Sequence, residues 1–277
     1  MKLITGLLTM MVVMVTFVGN AQNVLDPEDD NFYKKEIVEE KEIIPYDHIR
    51  EADVYWSKRV WRVIDVREKM NLPFKFPKEP LIQIIHESAK SGELKVYDNN
   101  VLYADEFKKE MDVQAVREIG YSVDTIRTID PLTLQEVETI VMNELSYDKI
   151  IKYRLKEDWF FDEETSTLEV RIIGVAPVMD FIDQSGQSLG DMVMYWIYYP
   201  HLRPILSKFE VYNPSNRSVR LSWEDVFEMR LFDSYIIKED NVHDRLIQEY
   251  ATGVDALLES DRITSEIRNF EHDLWTF

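Results

Sequence analysis

The sequence predicts an α+β fold of helices mixed with largely antiparallel hairpins, in one large domain or two closely packed subdomains. Helical stripes and strand-like runs follow one another without strict β–α–β alternation, which disfavours a parallel sheet. The clearest run is a hairpin. Asp158-Trp159-Phe160-Phe161 enters the turn Asp162-Glu163-Glu164-Thr165-Ser166, and Thr167–Ala176 returns with Leu168, Val170 and Ile172 on one side.

Other elements follow in chain order. Ile49–Met70 places Ile49, Ala52, Trp56, Val60, Val63 and Ile64 on one helical stripe, with a strand as the fallback. Asn71-Leu72-Pro73 ends it. Leu81–Ser91 reads as a helix that buries Leu81, Ile84, Ile85 and Ala89, opened by Pro80 and stopped by Gly92. Leu94–Tyr97 and Val101–Tyr103 flank Asp98-Asn99-Asn100 as a hairpin. A helix near Asp112–Ile119, a strand near Ser122–Ile129 and a turn at Pro131–Gln135 follow, and a subdomain break falls near 105–145. Ser146–Leu155 reads as a short helix. Pro177 closes the return strand of the main hairpin.

Phe181–Gly190 is a polar loop, and Met192–Tyr199 is an aromatic strand ended by Pro200. Phe209–Tyr212 is a short strand. Ser222 caps a helix with Asp225 three residues on, and Trp223, Val226, Phe227, Leu231 and Tyr235 form its inner face. Val242–Phe270 is mostly helical, with Gly253 as a weak point or kink.

The start of the chain predicts export. Met1-Lys2 precedes an apolar run from Leu3 to Val18, and Gly19 and Ala21 stand at −3 and −1 of a cut before Gln22. The run is short for a membrane span, so residues 1–21 read as a signal peptide and no direct membrane insertion is expected. Of 277 residues, 256 then remain, enough to bury roughly three quarters of the unfolded surface. With no cysteine, the chain forms no disulfide and carries no lipidated cysteine. Residues 22–45 contain Asp26-Pro27-Glu28-Asp29-Asp30 and read as an acidic extended or disordered arm. The net charge of −20 disfavours nucleic acid and anionic membrane surfaces as partners. It fits solubility, or a basic protein partner.

Little in the sequence carries catalysis. His48, His86, His201, His243 and His272 are scattered. His86-Glu87 opens like a zinc-protease motif, but Lys90 stands where the second histidine belongs, so His86 reads as a half-exposed helix residue and no metal site is expected. No G-x-S-x-G and no phosphate-cradling glycine loop exists, so no cofactor is expected. Carboxylates are plentiful. Asp158, Asp162, Glu163 and Glu164 beside aromatics allow an alternative reading, an exported carbohydrate-binding or carbohydrate-active protein. The aromatic strand has a core reading and an interface reading, with Tyr195, Ile197 and Tyr199 on one face and Trp196 and Tyr198 on the other. The interface reading selects Tyr195, Trp196, Tyr198 and Tyr199, together with Trp159 and Trp275.

Five segments, taken together, resemble one family. They are Trp56-Ser57-Lys58-Arg59-Val60-Trp61-Arg62, Glu157-Asp158-Trp159-Phe160-Phe161-Asp162, Arg171-Ile172-Ile173-Gly174-Val175-Ala176-Pro177, Trp196-Ile197-Tyr198-Tyr199-Pro200 and Phe270-Glu271-His272-Asp273-Leu274-Trp275. In this order they are similar to the gliding-motility protein GldN, also called PorN, of the bacterial type IX secretion system. The resemblance implies a non-enzymatic periplasmic ring subunit. It implies assembly with the outer-membrane lipoprotein GldK (PorK), contact with the periplasmic part of GldM (PorM), and self-association in a ring. No catalytic residue is implied.

Overall fold

The structure, a computed structural model, describes residues 41–99, 105–120, 122–129, 136–143, 145–182, 188–213 and 220–274. The expected signal peptide, most of the acidic arm, Val101–Tyr103, the Pro131–Gln135 turn and Trp275 lie outside the described residues.

An antiparallel sheet organises the fold, and the class is α+β. Nine strands are described: β1 (Val54–Asp65), β2 (Val96–Tyr97), β3 (Ser122–Ile129), β4 (Glu136–Asn143), β5 (Ile150–Asp162), β6 (Thr167–Ile182), β7 (Ser188–Val193), β8 (Trp196–Tyr198) and β9 (Tyr235–Glu239). The seven-stranded sheet has the order β2-β8-β6-β5-β1-β9, with β7 also on β6, while β3 and β4 pair separately. The β5–β6 hairpin turns where the sequence predicts, with Asp162 opposite Thr167.

The described helices are α1 (Leu81–Ser91), α2 (Val113–Glu118), α3 (Tyr199–Leu206), α4 (Trp223–Glu228) and α5 (Val254–Leu274). Helix α1 ends at Gly92, whose φ of 82° is the left-handed cap that glycine adopts without cost; Pro80 sits at its N-cap. Helix α4 carries the full capping box. Ser222 accepts from the Asp225 N–H, and Asp225 accepts from the Ser222 N–H.

The helical expectation for Ile49–Met70 is overturned, because β1 occupies Val54–Asp65. This strand is central and buries both faces, Ile64 among one group of apolar residues and Trp61 and Val63 among another. Apolar residues on both faces erase the simple alternation and imitate a helical stripe. The helix expected at Ser146–Leu155 is overturned as well: only a 3-10 turn at Tyr147–Lys149 precedes β5, and from Ile151 the residues alternate between a charged and a buried face. Tyr153 and Leu155 are fully buried while Lys152 and Arg154 point to the opposite face.

Three smaller expectations also change. Tyr97 bridges Glu110, and Met111 N–H donates to the Val96 carbonyl, so the chain returning beside β2 is Lys109–Met111. Pro177 does not close β6, which runs on to Ile182. Proline supplies no ladder donor, and the neighbouring chain breaks beside it. Val178 faces Val193 while Val175 faces Ile197, a one-residue slip that divides the expected Met192–Tyr199 strand into β7 and β8. Pro200 then stands at the first turn of α3, where its missing N–H costs nothing. Helix α4 stops at Glu228, so Leu231 and Tyr235 are not on it, and Gly253, at φ 61°, precedes α5 instead of kinking it.

The sheet has a helical face and an opposite face. On the first, Ile64, Tyr153, Leu155, Val175 and Ile197 pack with Leu81 and Ile85 of α1, Leu202 and Leu206 of α3, and Trp223 and Phe227 of α4. On the second, Trp61, Val63, Ala176, Val178, Trp196 and Ile237 lie beneath Phe107 and Leu246. Helix α5 closes the β9 end through Ile263 and Ile267 against Val60 and Ile236.

Candidate functional site

The expected interface residues separate by depth. Tyr195 and Tyr199 are fully buried and Trp196 is nearly so, so the core reading holds for these three and their rings are not accessible to a partner. Their alternation is as expected: Tyr195, Ile197 and Tyr199 join the helical-face core, and Trp196 joins the opposite one. Tyr199 hydroxyl bonds Glu228 at 3.0 Å. Tyr198 is half-buried and packs edge-on against Phe107 and His201. Trp159 is half-buried beneath the Arg230 guanidinium, and its Nε1–H donates to Glu157 at 3.2 Å.

The carboxylates behind the carbohydrate reading are engaged in holding structure. Asp158 accepts a bidentate pair from Arg59 at 2.5 and 2.6 Å. Asp162 is buried and organises its own turn, accepting from the Glu164 N–H and the Thr165 hydroxyl. Among the described residues no group of three or more His, Asp or Glu side chains could hold a metal ion. His86 departs from the sequence expectation of a half-exposed residue. It is fully buried, stacked on Tyr195 with Nδ1 3.2 Å from its hydroxyl, while Nε2 has no partner among the described residues. Burial lowers its pKa to about 4.

Two surface features have a built character. The first is a strap, residues 41–47, which crosses the helical face. Lys41 Nζ donates to Ser222 at 2.9 Å, Glu224 at 2.8 Å and Asp225 at 2.5 Å. The Tyr46 ring lies between two guanidiniums, Arg203 at 4.1 Å and Arg171 at 4.8 Å, and its hydroxyl donates to Glu228 at 2.6 Å. Burial and then Glu228 push the Tyr46 phenol well above its ordinary value. Arg203 and Arg171 also donate to the strap carbonyls of Ile44 and Asp47. Arg203 Nε stands 3.3 Å from Glu228 as an ion pair, at an angle that makes no hydrogen bond. So the last residues of the expected acidic arm are docked by specific contacts.

The second is a cleft of about 410 Å³ on the opposite sheet face. Trp61 is flanked by Lys238 at 4.2 Å and Lys156 at 5.8 Å, and its Nε1–H donates to Asp105. Lys156 is buried, donates to the Asp105 carbonyl at 2.7 Å, and has its pKa lowered by burial against the opposing pull of Asp105. Arg154 lines the same cleft. The sequence signal for this cluster is the alternation Lys152, Arg154, Lys156, visible only once the stretch is read as a strand. An apolar groove of about 630 Å³ also runs between β9 and the start of α5, where Val254, Leu257 and Leu258 are exposed.

These features define an α+β protein whose charged and aromatic residues are spent on internal clasps and surface recesses. No helix among the described residues is long and apolar enough to cross a membrane. The sequence profile described as Gliding motility associated protein GldN matches residues 49–276, nearly all of the folded chain, and the protein belongs to that family. No curated protein matches the chain.

Proposed function

We propose that this gliding-motility protein is a non-enzymatic structural subunit of the periplasmic ring of a type IX secretion machine. The observation that carries the reading is the family match over residues 49–276, which leaves only the N-terminal leader and arm outside it. In this reading residues 1–21 export the chain and are removed. A lipoprotein of the GldK (PorK) kind holds it at the periplasmic face of the outer membrane. The periplasmic part of a GldM (PorM)-like protein meets it from the other side, and copies associate with one another in a ring.

The physical features agree with such a role. A ring subunit needs surfaces complementary to itself and to its partners, in place of a reactive cleft. The apolar groove at β9, the half-buried Tyr198 and Trp159, and Trp275 supply candidate anchors of the type enriched at interfaces. With no cysteine, the chain cannot carry its own thioether lipid, so retention depends on protein contact. Cross-linking of envelope fractions followed by affinity capture tests the reading. Recovery of the lipoprotein with this chain in large assemblies is the expected result, and capture of a monodisperse monomer without an envelope partner overturns it.

A further inference from the structure

The groove beneath the strap is built from residues that are held in place without the strap. Arg203 is buried and paired with Glu224 at 2.8 Å. Glu228 accepts from Tyr199 at 3.0 Å, and Ser222 and Asp225 form the cap of α4. The groove reads two features of the segment that fills it. Its acidic end takes the Lys41 ammonium, and its two guanidiniums, Arg203 and Arg171, take the Tyr46 ring. It therefore selects an extended segment with a cation and then a phenol five residues on.

The strap meets that requirement but is lightly attached. Among the described residues, no N–H of residues 41–48 enters a backbone hydrogen bond. The strap carbonyls that are used, Ile44 and Asp47, accept from arginine side chains. Its ion pairs are partly exposed and each adds little. Its central aliphatic side chain, Ile44, is 81% exposed, so its own chain leaves it in water. Residues 48–50 carry no regular structure and join the strap to the short 3-10 turn Glu51–Asp53 before β1. The strap can thus leave and return as a unit, hinged at 48–50, with no sheet hydrogen bond broken.

We infer that this groove is an intersubunit site, filled by residues 41–47 of a second copy, each chain giving its strap to one neighbour and receiving another's. This rests on the self-association of the proposed ring reading, and it names the linking element. Exchange keeps every strap contact, so the choice between the two arrangements is set by local concentration and by what the strap gains beside a second body. Ile44 is the side chain with most to gain. A head-to-tail exchange is heterologous, the type of contact that closes rings.

The absence of native cysteine makes the test clean, because each introduced thiol is unique. Full-length Asp47→Cys and Glu169→Cys chains, whose positions line the same groove, are mixed at concentrations where the chain self-associates and treated with a short bismaleimide. The exposed Lys78→Cys replaces Glu169→Cys as the collision control. The expected result is a cross-link between two chains, well above the control. Tyr46→Ala added to the Asp47→Cys chain lowers the yield about tenfold, as for loss of a hydrogen bond to a charged group. The same substitution in the Glu169→Cys chain raises the yield, because that chain's own strap no longer competes for the groove. Lys41→Met gives the same pair of opposite changes, and an unchanged melting temperature shows that the fold is intact. A cross-link that forms only when both thiols are on one chain overturns the inference, as does a yield that Tyr46→Ala leaves unchanged or shifts alike in both chains. Light scattering on the same samples scores the ring reading separately: large assemblies with cross-links only within chains reject strap exchange and leave the ring standing.

Discussion

At the scale of single residues, the most consequential charge is Glu157. It is fully buried in β5 and accepts from Arg230 at 3.0 and 3.2 Å. Arg230→Met leaves a buried carboxylate without its cation, and urea unfolding should show a loss of about 3 kcal/mol. Glu157→Gln, which removes the charge instead, should cost less. His86 gives a pH signature. Its folded pKa of about 4 lies below the ordinary value of 6.5, so the folded state holds the neutral ring. Above pH 6.5 this contribution is fully present. As the pH falls from 6.5 toward 4, the unfolded chain takes up the proton and the folded chain does not, so stability declines by a few kcal/mol. The difference in unfolding free energy between the natural chain and His86→Leu should change over that window and be flat above it. Neither residue announces itself in the sequence. Glu157 is one acidic residue among 52 acidic residues, and His86 occupies a helix face against which Tyr195 and Tyr147 pack from distant parts of the chain.

At the scale of elements, local chemistry was legible where a short signal suffices and obscured where burial is two-sided. The capping box of α4, the left-handed Gly92 and the turn from Asp162 to Ser166 were readable because each is fixed by a few neighbouring residues. Strand β1 was not, because a central strand with apolar groups on both faces loses its alternation, and which strands are central is decided by long-range pairing. The slip between β7 and β8 was equally hidden, since it depends on Pro177 of a different strand. Ser222→Ala should cost about 1 kcal/mol by removing the α4 cap, and it also removes one of the three acceptors of Lys41. Lys41→Met should leave the melting temperature nearly unchanged while raising hydrogen exchange over residues 41–47, because the strap is pinned by that ammonium and by Tyr46. In β6, a Cβ added at Gly174 would lie 2.6 Å from the Phe107 ring. Gly174→Ala should therefore displace Phe107 from Trp196 and Tyr198 and lower stability by about 1–3 kcal/mol.

At the scale of the whole molecule, the fold separates a helical face that buries its aromatics from an opposite face that keeps a charged cleft open. The α+β class and the antiparallel hairpins were legible because they follow from the order of patterned segments. The surfaces were not, because the strap groove joins residues 41–47 to residues between 169 and 228 and the Arg154 cleft joins four strands with two loops. The aromatic strand shows the difference: its alternation was readable, but its depth depends on what packs over it, and Tyr195 and Tyr199 prove to be core. In the proposed function of this GldN family member, activity resides in assembly. The most direct measurement is cross-linked affinity capture of the tagged full-length chain from its native envelope, with the assemblies sized and their proteins identified. The predicted result is a large multi-copy complex that contains an outer-membrane lipoprotein and releases this chain when that lipoprotein is deleted. A chain recovered as a free monomer, with or without the lipoprotein present, would contradict it.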